Sequence, residues 1–153
     1  AEPPAGAGGL IVVTAEGAPT VRIPWAIARR EADRAPLVGE VQLSHHEFSP
    51  SDRAPVVLAF RAGRIDQAPD GEMIEPVGLL EVELWSADGR RLGVLARLRD
   101  VLPGRYAFGL TGRGPHGRVL EEGTYVLRMR AHSVDGDDGT PPSIAEAVFT
   151  ITR

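Results

Sequence analysis

The stretch Leu80-Glu-Val-Glu-Leu-Trp-Ser-Ala-Asp-Gly-Arg-Arg-Leu-Gly93 decides the fold of this chain. Leucine and valine alternate with glutamate over its first five residues, so an extended backbone places the apolar and the acidic side chains on opposite faces. Such a division is typical of an antiparallel sheet with one side in water. Asp88-Gly89 predicts a tight turn, for which we expect type I′ geometry with positive φ at both residues.

The same alternation recurs toward both ends of the chain. In 125–131 the apolar side chains face one way, and Arg128 and Arg130 face the other. The chain contains 18 glycines and 13 prolines. They break the sequence at intervals of about ten residues, which indicates short strands joined by turns. Seven strands are predicted after residue 36, over 37–44, 56–62, 78–87, 91–98, 105–111, 124–134 and 144–152.

This pattern predicts an all-β fold: an immunoglobulin or fibronectin type III-like antiparallel β-sandwich over residues 37–153, preceded by a β-hairpin. Gly123-Thr124-Tyr125 opens a long late strand, where we expect a tyrosine corner. The hairpin is predicted from two β-branched runs, 10–14 and 20–28, with Pro24 at an edge or a bulge. We therefore divide the chain into a linker and hairpin over 1–30, a linker over 31–36, and the sandwich.

Composition excludes several classes of protein. The 153 residues are 42% hydrophobic and 25% charged, which indicates a folded domain with a core. The formal net charge of −4 gives no footprint for binding nucleic acid. The absence of cysteine excludes disulfides and thiolate metal sites. No apolar run reaches the ~18 residues of a membrane-spanning helix, so we expect no membrane span.

Two motifs are interpreted as structural loops. Gly112-Arg-Gly-Pro-His-Gly117 matches G-x-G-x-x-G, but no helix follows to bind a dinucleotide phosphate. Asp135, Asp137 and Asp138 are the candidate calcium ligands of an acidic loop. Their spacing departs from the EF-hand pattern at the turn glycine, so we expect no tight calcium site and no metal site elsewhere.

The sequence contains no recognisable catalytic constellation. His45 and His46 are adjacent in an extended segment and point to opposite faces, which suits them poorly to one metal. None of the six serines lies in a G-x-S-x-G elbow. We therefore expect no catalytic residue, no cofactor and no enzymatic activity in this chain.

Two families resemble parts of this sequence. Four stretches resemble the immunoglobulin-like domain of flagellar hook-capping proteins. They are residues 80–93, Pro103-Gly-Arg-Tyr106, Gly123-Thr-Tyr-Val-Leu-Arg-Met-Arg130 and Phe48-Ser-Pro-Ser-Asp52. Three other stretches are similar to the C-terminal fibronectin- and immunoglobulin-like regions of subtilisin-like serine peptidases. They are Gly9-Leu-Ile-Val-Val13, Val21-Arg-Ile-Pro-Trp25 and residues 95–113.

The peptidase resemblance implies a non-catalytic C-terminal module of a secreted, extracellular protease, which serves positioning, substrate binding or surface interaction. It also implies that the hairpin is a remnant of a preceding fibronectin-like domain. The expected partner is then a neighbouring domain of the parent protease or another copy of this chain.

Three hypotheses about function follow. The first is this accessory module, and the second is a processed fragment that self-assembles into oligomers or filaments by β-strand addition through residues 10–28. The third is a carbohydrate-binding module in which Trp85 stacks on sugar rings, because alternation places it on the outward face with Glu81 and Glu83. Trp85 also suits the covering of a second layer. The candidate interaction residues are Val12, Val13, Val21, Ile23, Trp25, Ile27 and Trp85.

Overall fold

The computed structural model describes residues 6–14, 21–28, 35–68, 71–134 and 141–153. Backbone contacts divide the chain into two compact units, Ala1–Ala35 and Pro36–Arg153. All regular structure in the described ranges is β-strand. None of the described residues belongs to a helix with the length and hydropathy needed to cross a bilayer.

The first unit is a two-stranded antiparallel hairpin, as predicted for residues 10–28. Strand β1 spans Gly6–Val13 and strand β2 spans Val21–Ala28. Leu10 lies opposite Pro24 in the register. Among the described residues no third strand joins this sheet, so both strands are edges, where a proline without an amide hydrogen is tolerated.

The second unit is a β-sandwich of two principal sheets. Its strands are β3 Val38–Leu43, β4 Glu47–Phe48, β5 Val56–Ala62, β6 Arg64–Ala68, β7 Gly71–Glu75, β8 Val77–Ser86, β9 Arg91–Val101, β10 Gly104–Leu110, β11 Gly123–Ser133 and β12 Ser143–Ile151. One sheet has the order β10-β5-β3 and the other the order β4-β12-β11-β8-β9, and β6 pairs with β7 in a separate hairpin. The predicted all-β sandwich is therefore confirmed, whereas its immunoglobulin or fibronectin subtype stays a prediction.

Alternation along the strands builds the core. In β8, Leu80, Val82 and Leu84 are fully buried, as the sequence pattern predicted. Leu127 and Met129 of β11 join them from the same sheet, and Leu58 and Phe60 of β5 enter the cluster from the opposite sheet. Burial of apolar surface stabilises a fold by about 25 cal/mol per Å². Contacts within this cluster are therefore the main interaction that holds the two sheets together.

The connection between β8 and β9 forms a hairpin, but its turn is not the type I′ turn that we expected. Gly89 alone has positive φ, at 83°, and Asp88 is not among the residues with positive φ. The Gly89 amide donates to the Ser86 carbonyl, and the Ser86 amide donates to Arg90. This pattern is a three-residue loop with a left-handed glycine at its end. The Ser86 hydroxyl donates a hydrogen bond to the Asp88 carboxylate, and this bond lowers the pKa of Asp88.

Two tyrosines fix the starts of successive strands. The Tyr125 hydroxyl donates to the carbonyl of Glu121 at 2.9 Å, which confirms the predicted tyrosine corner. The Tyr106 hydroxyl makes the same contact, four residues back, to the carbonyl of Leu102 at 2.7 Å. This second corner was not predicted, although Gly104-Arg105-Tyr106 repeats the Gly-x-Tyr spacing.

Candidate functional site

The outward side of the five-stranded sheet brings together charged side chains from four strands. The register places Glu83 of β8 opposite Arg128 of β11, and Glu81 opposite Arg130. Arg128 in turn lies opposite Glu146 of β12. We call this surface the arginine–tryptophan face; it comprises Glu81, Glu83, Trp85, Arg91, Arg97, Arg99, Arg128, Arg130 and Glu146.

Glu83 is the buried centre of this face. Its exposed fraction is 1%, and its two carboxylate oxygens have different partners. Oε2 accepts the indole Nε1–H of Trp85 at 2.9 Å. Oε1 accepts Arg91 Nε at 3.0 Å, and Arg130 Nη1 lies 3.9 Å from it. A buried carboxylate requires such donors, because desolvation without them is costly.

Trp85 is held in place from a second direction. The guanidinium carbon of Arg128 lies 4.3 Å from the centroid of the Trp85 ring, a cation–π contact. Arg128 Nε also donates to Glu146 Oε1 at 2.6 Å. Glu83 and Arg128 together therefore fix the orientation of the indole, and Trp85 in turn orients the guanidinium of Arg128.

The face carries a local excess of positive charge on a chain whose net charge is −4. Five arginines, at 91, 97, 99, 128 and 130, accompany three glutamates, at 81, 83 and 146. Ile144 and Val148 of β12 add exposed apolar surface beside them. Arginine and tryptophan are among the residue types enriched in protein interfaces.

The structure corrects one expectation about this face. Sequence alternation placed Glu81 and Glu83 on a solvated side, but only Glu81 keeps measurable side-chain exposure, at 14%. Glu83 is covered because Trp85 and Arg91 converge on it from its own strand and the neighbouring one. Trp85 lies on the same outward side of β8 as Glu83, and Arg128 reaches it from β11, a strand whose pairing with β8 the sequence did not specify.

The candidate interaction residues of the hairpin fall into two groups. Val12, Val13, Val21 and Ile23 have exposed fractions between 48% and 54%. Val13 lies opposite Val21, and Ile23 lies opposite Ile11, so one face of the hairpin presents directly paired aliphatic side chains. The side chains of Trp25 and Ile27 lie outside the described part of the structure.

The candidate metal-ligating residues lie partly outside the described part of the structure. Asp135, Asp137 and Asp138 lie outside the described residues, so the calcium interpretation stays a prediction. His45 Nδ1 contacts Ser44 Oγ at 3.2 Å, whereas His46 Nδ1 contacts the Val148 carbonyl at 3.1 Å. Within the described ranges no group of three or more histidine or acidic side chains has the arrangement of a metal site.

The glycine-rich segment 112–117 is a folded connection between β10 and β11. Gly114 donates to the carbonyl of Arg118, and Leu120 donates to that of Gly112. Arg113 and Val119 form a short antiparallel bridge. The amides of Gly114 and Gly117 are thus engaged within the loop itself, in keeping with the structural interpretation of the motif.

Comparison with known proteins leaves the chain without a family. No family model matches it, and no curated protein matches it. The resemblances to subtilisin-like peptidase tails and hook-capping domains therefore have no support from these comparisons and remain predictions.

Proposed function

We propose that this chain is a non-catalytic β-sandwich binding module that contacts an acidic surface of a partner protein through the arginine–tryptophan face. The observation that carries the proposal is the arrangement of Trp85 and Arg128 above the buried Glu83. The face is held in shape before any partner binds, which reduces the entropic cost of association.

A protein partner fits this face better than a polysaccharide does. A sugar ring would need an open aromatic surface, and Arg128 covers one side of the Trp85 ring. Tryptophan and arginine are the residues that contribute most to the binding energy of protein interfaces. The positive excess supplies attraction to acidic side chains and specificity against basic ones.

The peptidase resemblance supplies a setting for this module. As an accessory domain of a secreted subtilisin-like protease, it would hold the enzyme against an acidic substrate or surface protein. The binding proposal rests on the residues of the face alone, and it holds or fails independently of that setting.

Self-assembly through residues 10–28 is the second candidate function. Its support is the paired aliphatic surface of the hairpin, in which Val13, Val21 and Ile23 are each about half exposed. An isolated two-stranded hairpin is only marginally stable in water, so an additional strand or layer would stabilise it. Strand addition to another copy would supply one.

The binding proposal is tested with poly-L-glutamate, polygalacturonate and a neutral xylan, by titration at low and high salt. We expect poly-L-glutamate to bind in a salt-sensitive manner, and Trp85→Ala and Arg128→Gln to weaken binding about tenfold. Arg105→Gln is the matched control, because Arg105 lies on the other sheet and is largely exposed.

Three outcomes would contradict the proposal. The first is no binding of poly-L-glutamate, and the second is equal loss in the Arg105→Gln control. The third is selective binding of a polysaccharide, which would favour the carbohydrate-binding alternative instead.

The non-catalytic assignment has its own test. Assays with casein and simple esters should show no hydrolysis, and turnover abolished by a single serine substitution would contradict the assignment.

A further inference from the structure

An apolar pocket of about 390 Å³ lies between the two sheets, at the side where β9 and β10 face each other. Its floor is formed by the buried side chains of Phe48, Leu84 and Phe149. Leu98, Phe108 and Leu110 form its walls and are only partly buried. The pocket therefore opens the apolar core to one side of the sandwich.

The glycine-rich loop closes one end of this pocket and is firmly attached. Gly112 lies against Pro50, where an added Cβ atom would approach the proline ring to 2.8 Å. The φ of Gly112 is +68°, a conformation that favours glycine. Together with the bridge between Arg113 and Val119, this contact gives the pocket a preformed mouth, as is usual for small-molecule sites.

The size and lining of the pocket define the class of ligand. Small-molecule sites occupy about 300–1,000 Å³ and are mainly apolar, and an apolar cavity of about 150 Å³ holds benzene. The pocket here is larger than that single-ring cavity. Most of its lining residues are apolar, and Thr111 and Arg113 are the polar ones among them.

Arg113 is the charged residue of the pocket lining. Its Nη1 donates to the Gly117 carbonyl at 2.8 Å, which fixes the guanidinium while leaving other donors of the group. Among the described carboxylates none forms an ion pair with Arg113. We propose that the pocket binds a medium-chain aliphatic monocarboxylate, with its hydrocarbon tail between the sheets and its carboxylate at Arg113.

Decanoate, used below its micellar concentration, is the probe for this proposal, and decanol is its uncharged counterpart. We expect decanoate to raise the melting temperature progressively as its concentration increases, and to bind with one-to-one stoichiometry in calorimetry. Arg113→Gln should weaken decanoate about two- to fivefold and leave decanol unchanged, because it removes a partly solvated ion pair.

Ala96→Phe fills the pocket from the wall and should abolish binding of both probes. Ala107→Phe adds the same volume to the exposed side of β10 and is the matched control. Equal binding by these two variants, or no response of the unsubstituted chain, would overturn the proposal. Should Ala96→Phe fail to fold, Arg113→Gln with the two probes decides: an equal effect on decanoate and decanol contradicts it.

Discussion

The indole nitrogen of Trp85 donates a 2.9 Å hydrogen bond to Glu83, a carboxylate with 1% exposure on the outward side of the sheet. Two residues on the same face of one strand are neighbours, so this contact follows from the alternation of β8. Its cost is the desolvation of Glu83, which Arg91 and Trp85 offset together. The aromatic residue of β8 is therefore hydrogen-bonded to the most buried charged group of the same strand.

The first prediction concerns that carboxylate. Glu83→Gln should lower the free energy of unfolding by about 1–3 kcal/mol, because it removes the charge that pairs with Arg91 and perturbs the acceptor for Trp85. Urea denaturation monitored by tryptophan fluorescence measures the change. Glu146→Gln is the matched control; its ion pair with Arg128 is exposed and should contribute about 0–1 kcal/mol. Equal effects of the two variants would contradict the central role of Glu83.

The second prediction concerns the tyrosine corner. Tyr125→Phe should cost about 1 kcal/mol at neutral pH, because it removes the bond to the Glu121 carbonyl. Burial, and secondarily the charge of Glu121, raise the pKa of Tyr125 above 10.0. The proton is therefore held more tightly in the folded state, and this stabilisation is complete below the unfolded pKa and is lost as the pH rises through the folded one. The stability difference between the two proteins should accordingly narrow above pH 10, as measured by urea denaturation; a constant difference would contradict the prediction.

The third prediction concerns how tightly two glycines of the G-x-G-x-x-G motif are packed. Gly112→Ala and Gly117→Ala both place a side chain at positive φ, which costs about 1–2 kcal/mol. Only Gly112→Ala also meets Pro50, which adds about 1–3 kcal/mol of overpacking, whereas nothing lies within 4 Å of the Cβ position at Gly117. Thermal and urea unfolding should therefore rank Gly112→Ala as the less stable variant. The reverse order would show that the contact with Pro50 is adaptable.

The sequence predicted the long strands because their periodicity is local. Strand 78–87 was expected and β8 runs over Val77–Ser86, and 56–62 matches β5 at both ends. Strand β4 escaped prediction because its two residues are extended only by pairing with β12. Strands β6 and β7 were also not predicted, because their charged and apolar side chains do not alternate clearly. Within the described ranges these two strands pair only with each other.

The candidate site was predictable only in part. Alternation placed Trp85 outward on the same face as Glu83, but the burial of Glu83 depends on side chains from β9 and β11. The positions of these side chains beside Glu83 depend on the order of the strands and on register shifts near Glu83 and Trp85 in the pairing of β8 with β9. A single sequence carries no local signal for either, and the pocket between the sheets is likewise a product of tertiary packing.

The last prediction tests the self-assembly function of the hairpin. Deleting residues 1–30 should convert a self-associating chain into a monomer, because the deletion removes the paired aliphatic surface around Ile23. Multi-angle light scattering and sedimentation velocity measure the mass of both proteins. Ile23→Asp in the full chain should act like the deletion, whereas Arg22→Asp, on the opposite face of the same strand, should leave association unchanged. If the full chain and the truncation are both stable monomers, self-assembly is wrong and the binding module is the function that remains.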